Sequence, residues 1–181
     1  AHEFGPSSAM PLERSPTGFE FDQPSASVGT VLAGVSQPVI RGFIIHLDRA
    51  RDRMPQVERL AAKLSVQSEV IEAVDGRTLT AAEIESVYRP RLQKPYYPFA
   101  MSTGEIACFL SHRKAWAAIV EQGIDAGLVF EDDVEIDDAF HAAFAAAKAC
   151  LKPGAFIRFP FRMGKEHGRC VLSQGETNVI Q

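Results

Sequence analysis

Three consecutive carboxylates, Glu131, Asp132 and Asp133, have the clearest potential for chemistry in this 181-residue chain. They directly follow residues 127–130, an apolar run with the composition of a short buried strand. Because side chains alternate along a strand, Glu131 and Asp133 are expected on one face and Asp132 on the other. Two carboxylates on one face suit a hard divalent cation such as Mg²⁺ or Mn²⁺. The alternative is a solvated acidic turn, the ordinary setting for Asp and Glu.

Polar residues also follow the two earlier apolar segments. His46, Arg49 and Arg53 come at and after residues 42–47, and the turn Asp75-Gly76 ends residues 69–74. The carboxyl ends of strands in an open α/β sheet form its ligand-binding edge. Arginine there could bind a diphosphate through two hydrogen bonds, although a solvated helix start is the alternative. His46 is predicted either to contact a nucleotide base or to be a core histidine.

A long helix is predicted over residues 102–122, because Ser102 and Glu105 have the spacing of a capping box and Gly123 is a stop signal. At 100° per residue, Glu105 and His112 fall on or beside its apolar face. Either they support a ligand site from below, or Glu105 completes the capping box and His112 bonds a backbone carbonyl. Cys108 is predicted to lie in the core. The predicted apolar face consists of Phe109, Trp116 and Val120.

The segments that must position these residues alternate between strand and helix. Strands are predicted at 42–47, 69–74, 127–130 and 156–159, with a loop at 88–98. Between them lie a helix that Asp52 caps, a short helix that the capping box Thr80-Glu83 opens, and an alanine-rich helix that Asp137 or Asp138 caps. This alternation predicts an α/β fold whose sheet is mostly parallel and flanked by helices.

Composition excludes several classes of protein. The net charge of −4 disfavours a nucleic-acid binder. Three widely spaced cysteines match no disulfide framework and no zinc spacing, which favours a reducing compartment. No apolar stretch reaches about 18 residues, so no membrane span is expected, and no secretory signal is expected either. Residues 1–38, rich in Pro, Ser and Gly, are predicted to be a flexible tail in which Met10 is a candidate native start, and residues 39–181 the folded domain.

Four blocks of the chain resemble glycosyltransferase family 25. They are FIIHLDR at 43–49 with Arg53, AVDG at 73–76, MSTGEIACFLSH at 101–112 with Trp116, and VFEDDV at 129–134. The resemblance implies a GT-A-like nucleotide-sugar-binding fold. It also implies a bacterial enzyme that is located either free in the cytoplasm or peripherally at the inner membrane. Such an enzyme would transfer a hexose, often galactose, from a UDP-sugar to a lipooligosaccharide or lipopolysaccharide core, with inversion and a divalent metal.

On this resemblance Glu131 and Asp133 are the predicted ligands of Mn²⁺ or Mg²⁺. Asp132 is expected to bond the ribose or sugar, or else to support the turn. The family usually has Asn in place of His46, and it continues beyond residue 160, so the domain is expected to be short at its C-terminus. The catalytic base is unassigned. The predicted donor-binding residues are His46, Arg49, Arg53, Asp75, Gly76, Glu105, His112 and Asp132.

Two other functions compete with hexosyl transfer. A non-catalytic module with an incomplete GT-A fold could bind a nucleotide or a partner through the same residues. Nucleotidyl or phosphoryl transfer would also use paired acids and a metal, but the chain has no glycine-rich phosphate loop.

Overall fold

A computed structural model describes residues 37–92, 94–96, 98–159 and 168–180. The predicted tail lies outside these ranges except for Gln37 and Pro38, so its boundary stays a prediction. Three strands form a parallel sheet in the order β2-β1-β3, and a separate antiparallel hairpin follows. The strands are β1 (Ile40–His46), β2 (Ser68–Glu72), β3 (Ala126–Glu131), β4 (Cys170–Gln174) and β5 (Thr177–Ile180).

Four helices complete the described fold, and the predicted α/β class with a parallel sheet is confirmed. The helices are α1 (Met54–Lys63), α2 (Ala81–Val87), α3 (Thr103–Glu121) and α4 (Ala139–Ala149), and a single 3-10 turn, Arg51–Arg53, precedes α1. The described part of the chain contains no helix with the length and hydrophobicity that crossing a bilayer requires.

The central strand β1 distributes its side chains between two hydrophobic layers. Ile44 packs with Leu60 of α1 and Phe144 of α4 on one face of the sheet. Phe43 and Ile45 pack with Ala115 of α3 on the other face. This alternation follows from the period of two along a strand, and it places helices on both faces. The sheet is therefore buried between α1 and α4 on one side and α3 on the other.

Local capping signals in the sequence predicted the starts of most of the described helices. Both predicted capping boxes are present, with Thr80 and Ser102 as N-caps. Asp52 was wrong as the candidate cap of the first helix, because it lies in the 3-10 turn and Arg53 occupies the N-cap without a capping hydrogen bond from its side chain. Before α4, Asp137 is the acid that bonds, since its Oδ1 accepts from the Phe140 backbone N–H at 3.1 Å.

The predicted apolar face of α3 was wrong. Phe109, Trp116 and Val120 are 43%, 42% and 79% exposed. The helix instead lies close to the sheet, where a Cβ added to Gly127 of β3 would be 2.1 Å from the Ile119 side chain. Gly127 permits that close approach, and α3 packs Ile119 against the sheet in place of the larger Phe109 and Trp116. The buried residues of α3 are Ile106, Ala107, Ser111 and Ala115.

The described C-terminal part also differs from expectation. Residues 156–159 form no strand, although Phe159 packs on Phe140 with ring centroids 5.4 Å apart. The hairpin β4-β5 was missed. Its two-residue turn begins at Gly175, whose φ of +60° favours glycine.

Candidate functional site

A cleft of about 210 Å³ opens at the carboxyl ends of β1, β2 and β3. The three strand ends meet there because β1 is parallel to both neighbours. Eight of the ten predicted site residues line this cleft, and His46 and Glu105 do not. The eight are Arg49, Arg53, Asp75, Gly76, His112, Glu131, Asp132 and Asp133.

A second opening, of about 380 Å³, lies at the amino end of the sheet and is lined by Arg41, Gln67, Ser68 and Glu69. It is larger but contains none of the predicted site residues. Ligands of open α/β sheets bind at the carboxyl edge, so the smaller cleft is the better candidate.

The three acids at the end of β3 have different environments. Glu131 and Asp133 are exposed, whereas Asp132 is only 4% exposed. Asp132 Oδ2 lies 2.6 Å from His46 Nδ1, and its Oδ1 lies 2.7 Å from an Arg53 guanidinium nitrogen. Both oxygens of Asp132 are therefore committed to protein partners, and the residue fixes the turn that presents its two neighbours.

His46 is a buried residue, 3% exposed, at the end of the central strand. Because a carboxylate accepts hydrogen bonds, His46 Nδ1 donates to Asp132, and Nε2 is the other ring nitrogen. Among the buried side-chain nitrogen and oxygen atoms of the described residues, this Nε2 is the one that has no hydrogen-bond partner. His46 therefore holds Asp132 in place from within the core rather than from the cleft.

Arg49 and Arg53 each pair with a carboxylate of the cleft. Arg49 Nε donates to Asp75 Oδ2 at 2.7 Å, and Arg53 pairs with Asp132 as above. The Arg77 backbone N–H, followed by the Arg49 side chain, lowers the pKa of Asp75 below its ordinary value of 3.8. A guanidinium has five N–H donors, so each arginine has donors left for a ligand.

Gly76 and Ser111 fix α3 against the β2 end of the cleft. A Cβ on Gly76 would lie 2.8 Å from the carbonyl oxygen of Thr103. The Ser111 hydroxyl accepts from the Val74 backbone N–H at 2.8 Å and donates to the Ala107 carbonyl at 2.7 Å. Sequence reasoning missed Ser111, although its place midway between Ala107 and Ala115 marks it as part of the small-residue face.

Glu105 lies outside the cleft lining. Its carboxylate accepts from the Ser102 backbone N–H at 2.7 Å and from the Ser102 hydroxyl at 2.9 Å. These two bonds, the backbone one first, hold the pKa of Glu105 below its ordinary value of 4.5. The capping-box alternative accounts for Glu105, and a direct ligand contact from it has no geometric support.

Cys108 is exposed and faces the acidic turn, so the prediction of a core cysteine was wrong. Its Sγ lies 3.5 Å from Glu131 Oε1, and His112 Nε2 lies 3.7 Å from the same oxygen. Partial burial, then the charge of Glu131 and its hydrogen bond, and last the charge of Asp133 raise the pKa of the Cys108 thiol. Glu131 therefore belongs to a mixed group of sulfur, nitrogen and oxygen donors.

The carboxylates fit a hard divalent cation. Mg²⁺ is usually held by one or two carboxylates together with substrate phosphates, and exposed Glu131 and Asp133 at one cleft supply such oxygens. Arg49 and Arg53 in the same cleft provide the positive charge that a phosphate ligand requires.

Comparison with known proteins identifies a glycosyltransferase family. The model of glycosyltransferase family 25, described as an LPS biosynthesis protein, matches residues 39–166. Procollagen galactosyltransferase 1 of Danio rerio is 35% identical over 101 residues, which are 54% of this chain and 17% of that protein. A glycosyltransferase 25 family member of Drosophila pseudoobscura pseudoobscura is 36% identical over 103 residues, 55% of this chain and 16% of that protein.

A Mus musculus relative named inactive glycosyltransferase 25 family member 3 matches equally well, at 35% identity over 101 residues, 54% of this chain and 17% of that protein. The matched segment thus spans about a sixth of the length of these relatives. No solved structure matches the chain significantly.

Proposed function

This chain belongs to glycosyltransferase family 25, and we propose that it binds a UDP-sugar in the cleft at the carboxyl ends of β1, β2 and β3 for transfer of a hexose. The observation that carries the proposal is the cleft itself, in which two exposed carboxylates and two arginines surround about 210 Å³. A metal-bound diphosphate needs that combination of charges.

Each cleft residue has a distinct role in this proposal. Glu131 and Asp133 would hold Mn²⁺ or Mg²⁺, which supplies Lewis-acid stabilisation of the leaving diphosphate. Arg49 and Arg53 donate hydrogen bonds to phosphate oxygens through the N–H groups that their carboxylate partners leave free. Asp75 positions Arg49.

The remaining residues shape the site rather than react. Asp132 and His46 fix the acidic turn, and Gly76 lets α3 approach the end of β2. Transfer also needs a base to take the acceptor proton, and no described residue is assigned to that step.

The proposed donor is UDP-galactose, and the proposed acceptor is a lipopolysaccharide or lipooligosaccharide core sugar, with inversion at the anomeric carbon. The family description as an LPS biosynthesis protein supports the acceptor. The Danio rerio relative, named a galactosyltransferase, supports the sugar, although its name gives procollagen as its acceptor. An LPS acceptor would place the chain in the bacterial cytoplasm or peripherally at the inner membrane.

A transfer assay tests this proposal. The chain is incubated with Mn²⁺ and labelled UDP-galactose, with LPS core oligosaccharide or procollagen in parallel, and Asp133→Ala as the negative control. We expect label in the oligosaccharide with the unaltered chain only. Label in procollagen alone would overturn the proposed acceptor.

A second candidate function is nucleotide-sugar binding without turnover. It is favoured by the match to the mouse relative, which is named inactive. Metal-dependent UDP binding without label in either acceptor would support this candidate over the enzyme.

A further inference from the structure

Cys108, His112 and Glu131 place a sulfur, a nitrogen and an oxygen donor within 4.8 Å of one another. We propose that they form a site for a borderline transition-metal ion, Zn²⁺ by preference, which shares Glu131 with the carboxylate pair Glu131 and Asp133 but adds a thiolate and an imidazole. The inference does not depend on the proposed glycosyl transfer.

Secondary structure brings the three donors together. Cys108 and His112 are four residues apart on α3, so their side chains lie on the same face of the helix. Glu131 is the last residue of β3 and pairs in register with Ile45, whose side chain packs against α3. Residues side by side in a parallel sheet share a face, and Glu131 therefore points to the α3 side.

The distances are close to those of a filled site. Zn–S of about 2.3 Å, Zn–N of about 2.0–2.1 Å and Zn–O of about 2.0–2.2 Å imply donor separations of about 3.3–3.7 Å at tetrahedral angles. Cys108 Sγ and Glu131 Oε1 are 3.5 Å apart, and His112 Nε2 and Glu131 Oε1 are 3.7 Å apart. All three donor atoms lie within 4.8 Å of one another, so side-chain rotation would have to bring the Cys108 and His112 donors into position around an ion.

The orientation of His112 also suits a ligand. Its Nδ1 lies 3.0 Å from the Cys108 backbone carbonyl oxygen and 3.8 Å from the Cys108 sulfur. The carbonyl is the stronger acceptor, so Nδ1 has the proton and Nε2 is free to bind metal. Metal-binding histidines characteristically donate their other N–H to such a carbonyl.

The donor types decide which ion fits. A thiolate and an imidazole suit Zn²⁺ and disfavour Mg²⁺, which prefers oxygen. Three protein ligands leave one tetrahedral position for water or a ligand, and all three line the cleft. Because Glu131 belongs to both donor sets, Zn²⁺ at this site should compete with Mn²⁺ for it.

Cobalt substitution tests the site directly. The 181-residue chain is titrated with Co²⁺ in the absence of nucleotide, and the near-ultraviolet thiolate-to-cobalt charge-transfer band is recorded, followed by displacement with Zn²⁺. We expect the band with the unaltered chain and with Cys170→Ser, a matched exposed cysteine. Cys108→Ser should lose the band. Its Zn²⁺ affinity should also fall more than about 100-fold, because the loss of a ligand costs more than the loss of an outer-shell partner, which costs at most about 100-fold.

His112→Gln and Asp133→Asn separate the alternatives. His112→Gln should weaken Co²⁺ binding, whereas Asp133→Asn should leave the band intact even if it abolishes metal-dependent UDP binding. Absence of a band with the unaltered chain, or a band that survives in Cys108→Ser, would overturn the site. Neither result requires UDP, so failure here is distinguishable from failure of the proposed function.

Discussion

Adjacent carboxylates at the end of β3 face opposite environments, and this contrast can be measured. Asp132 is buried and bonded to His46 and Arg53, whereas Asp133 is exposed in the cleft. A shift of one residue in the turn after β3 therefore separates a residue that supports the fold from one available to a ligand.

We predict that Asp132→Ala lowers the free energy of unfolding by about 3 kcal/mol, because it leaves His46, which is buried, and Arg53, which is partly exposed, without their partner. Urea denaturation of the metal-free protein gives the value. Asp133→Ala should leave stability level or slightly raised, since it removes a negative charge near Glu131. Equal destabilisation by both substitutions would refute this division of roles.

Alternation along β3 does not extend to Asp132 and Asp133, because the strand ends at Glu131; all three acids line the cleft, and burial is what sets Asp132 apart. The partners of Asp132 could not be predicted, because His46 lies 86 residues away in sequence and the pairing depends on which strands are adjacent. Cys108 was misassigned for the same reason, since its exposure depends on how α3 rotates against the sheet.

At the scale of elements, Gly76 sets the distance between the β2 end and α3. We predict that Gly76→Ala lowers stability by about 1–3 kcal/mol, because its Cβ would meet the Thr103 carbonyl at 2.8 Å and force the backbone apart. Gly104→Ala is the matched control, since its Cβ would meet only Ser102 Oγ at 3.8 Å and alanine favours a helix. Thermal unfolding of both variants measures the difference, and equal melting temperatures would contradict the close approach.

The capping box of α3 predicts a pH dependence. Because the folded-state pKa of Glu105 is below 4.5, its contribution is complete above pH 4.5 and is lost as the pH falls through the lowered value. The stability gap between unaltered protein and Glu105→Ala should therefore be present at pH 7 and shrink in acid. Urea unfolding across this range tests it. A gap that grows in acid would be inconsistent with the bonding described.

Glu121→Ala at the opposite end of α3 is the control for that series. A negative charge near a helix C-terminus is not favoured, so this variant should show no comparable gap at pH 7.

Local signals predicted elements better than the contacts between them. Both capping boxes depend on residues three apart and were found from sequence. The buried face of α3 was not, because it depends on how the helix packs on the sheet, where Ile119 lies against Gly127 while Phe109 and Trp116 are exposed. The hairpin at residues 170–180 was missed because its polar composition conceals a turn that Gly175 alone marks.

At the scale of the molecule, the order β2-β1-β3 makes the cleft. The chain crosses from β2 back over β1 to reach β3, so three strand ends from distant parts of the sequence meet at one edge. The α/β class and the family were both predictable from sequence, and eight of the ten predicted site residues line this edge. The central prediction is that these residues bind a metal ion and a nucleotide together.

Calorimetric titration with UDP tests that claim most directly. We predict that UDP binds at least about 10-fold more tightly in Mn²⁺ than in EDTA, because the ion bridges carboxylate and diphosphate. Asp133→Ala should lose this metal dependence, and Glu135→Ala, an exposed acid outside the cleft lining, should retain it. Equal UDP affinity with and without metal in the unaltered chain, or full metal dependence in Asp133→Ala, would contradict the account.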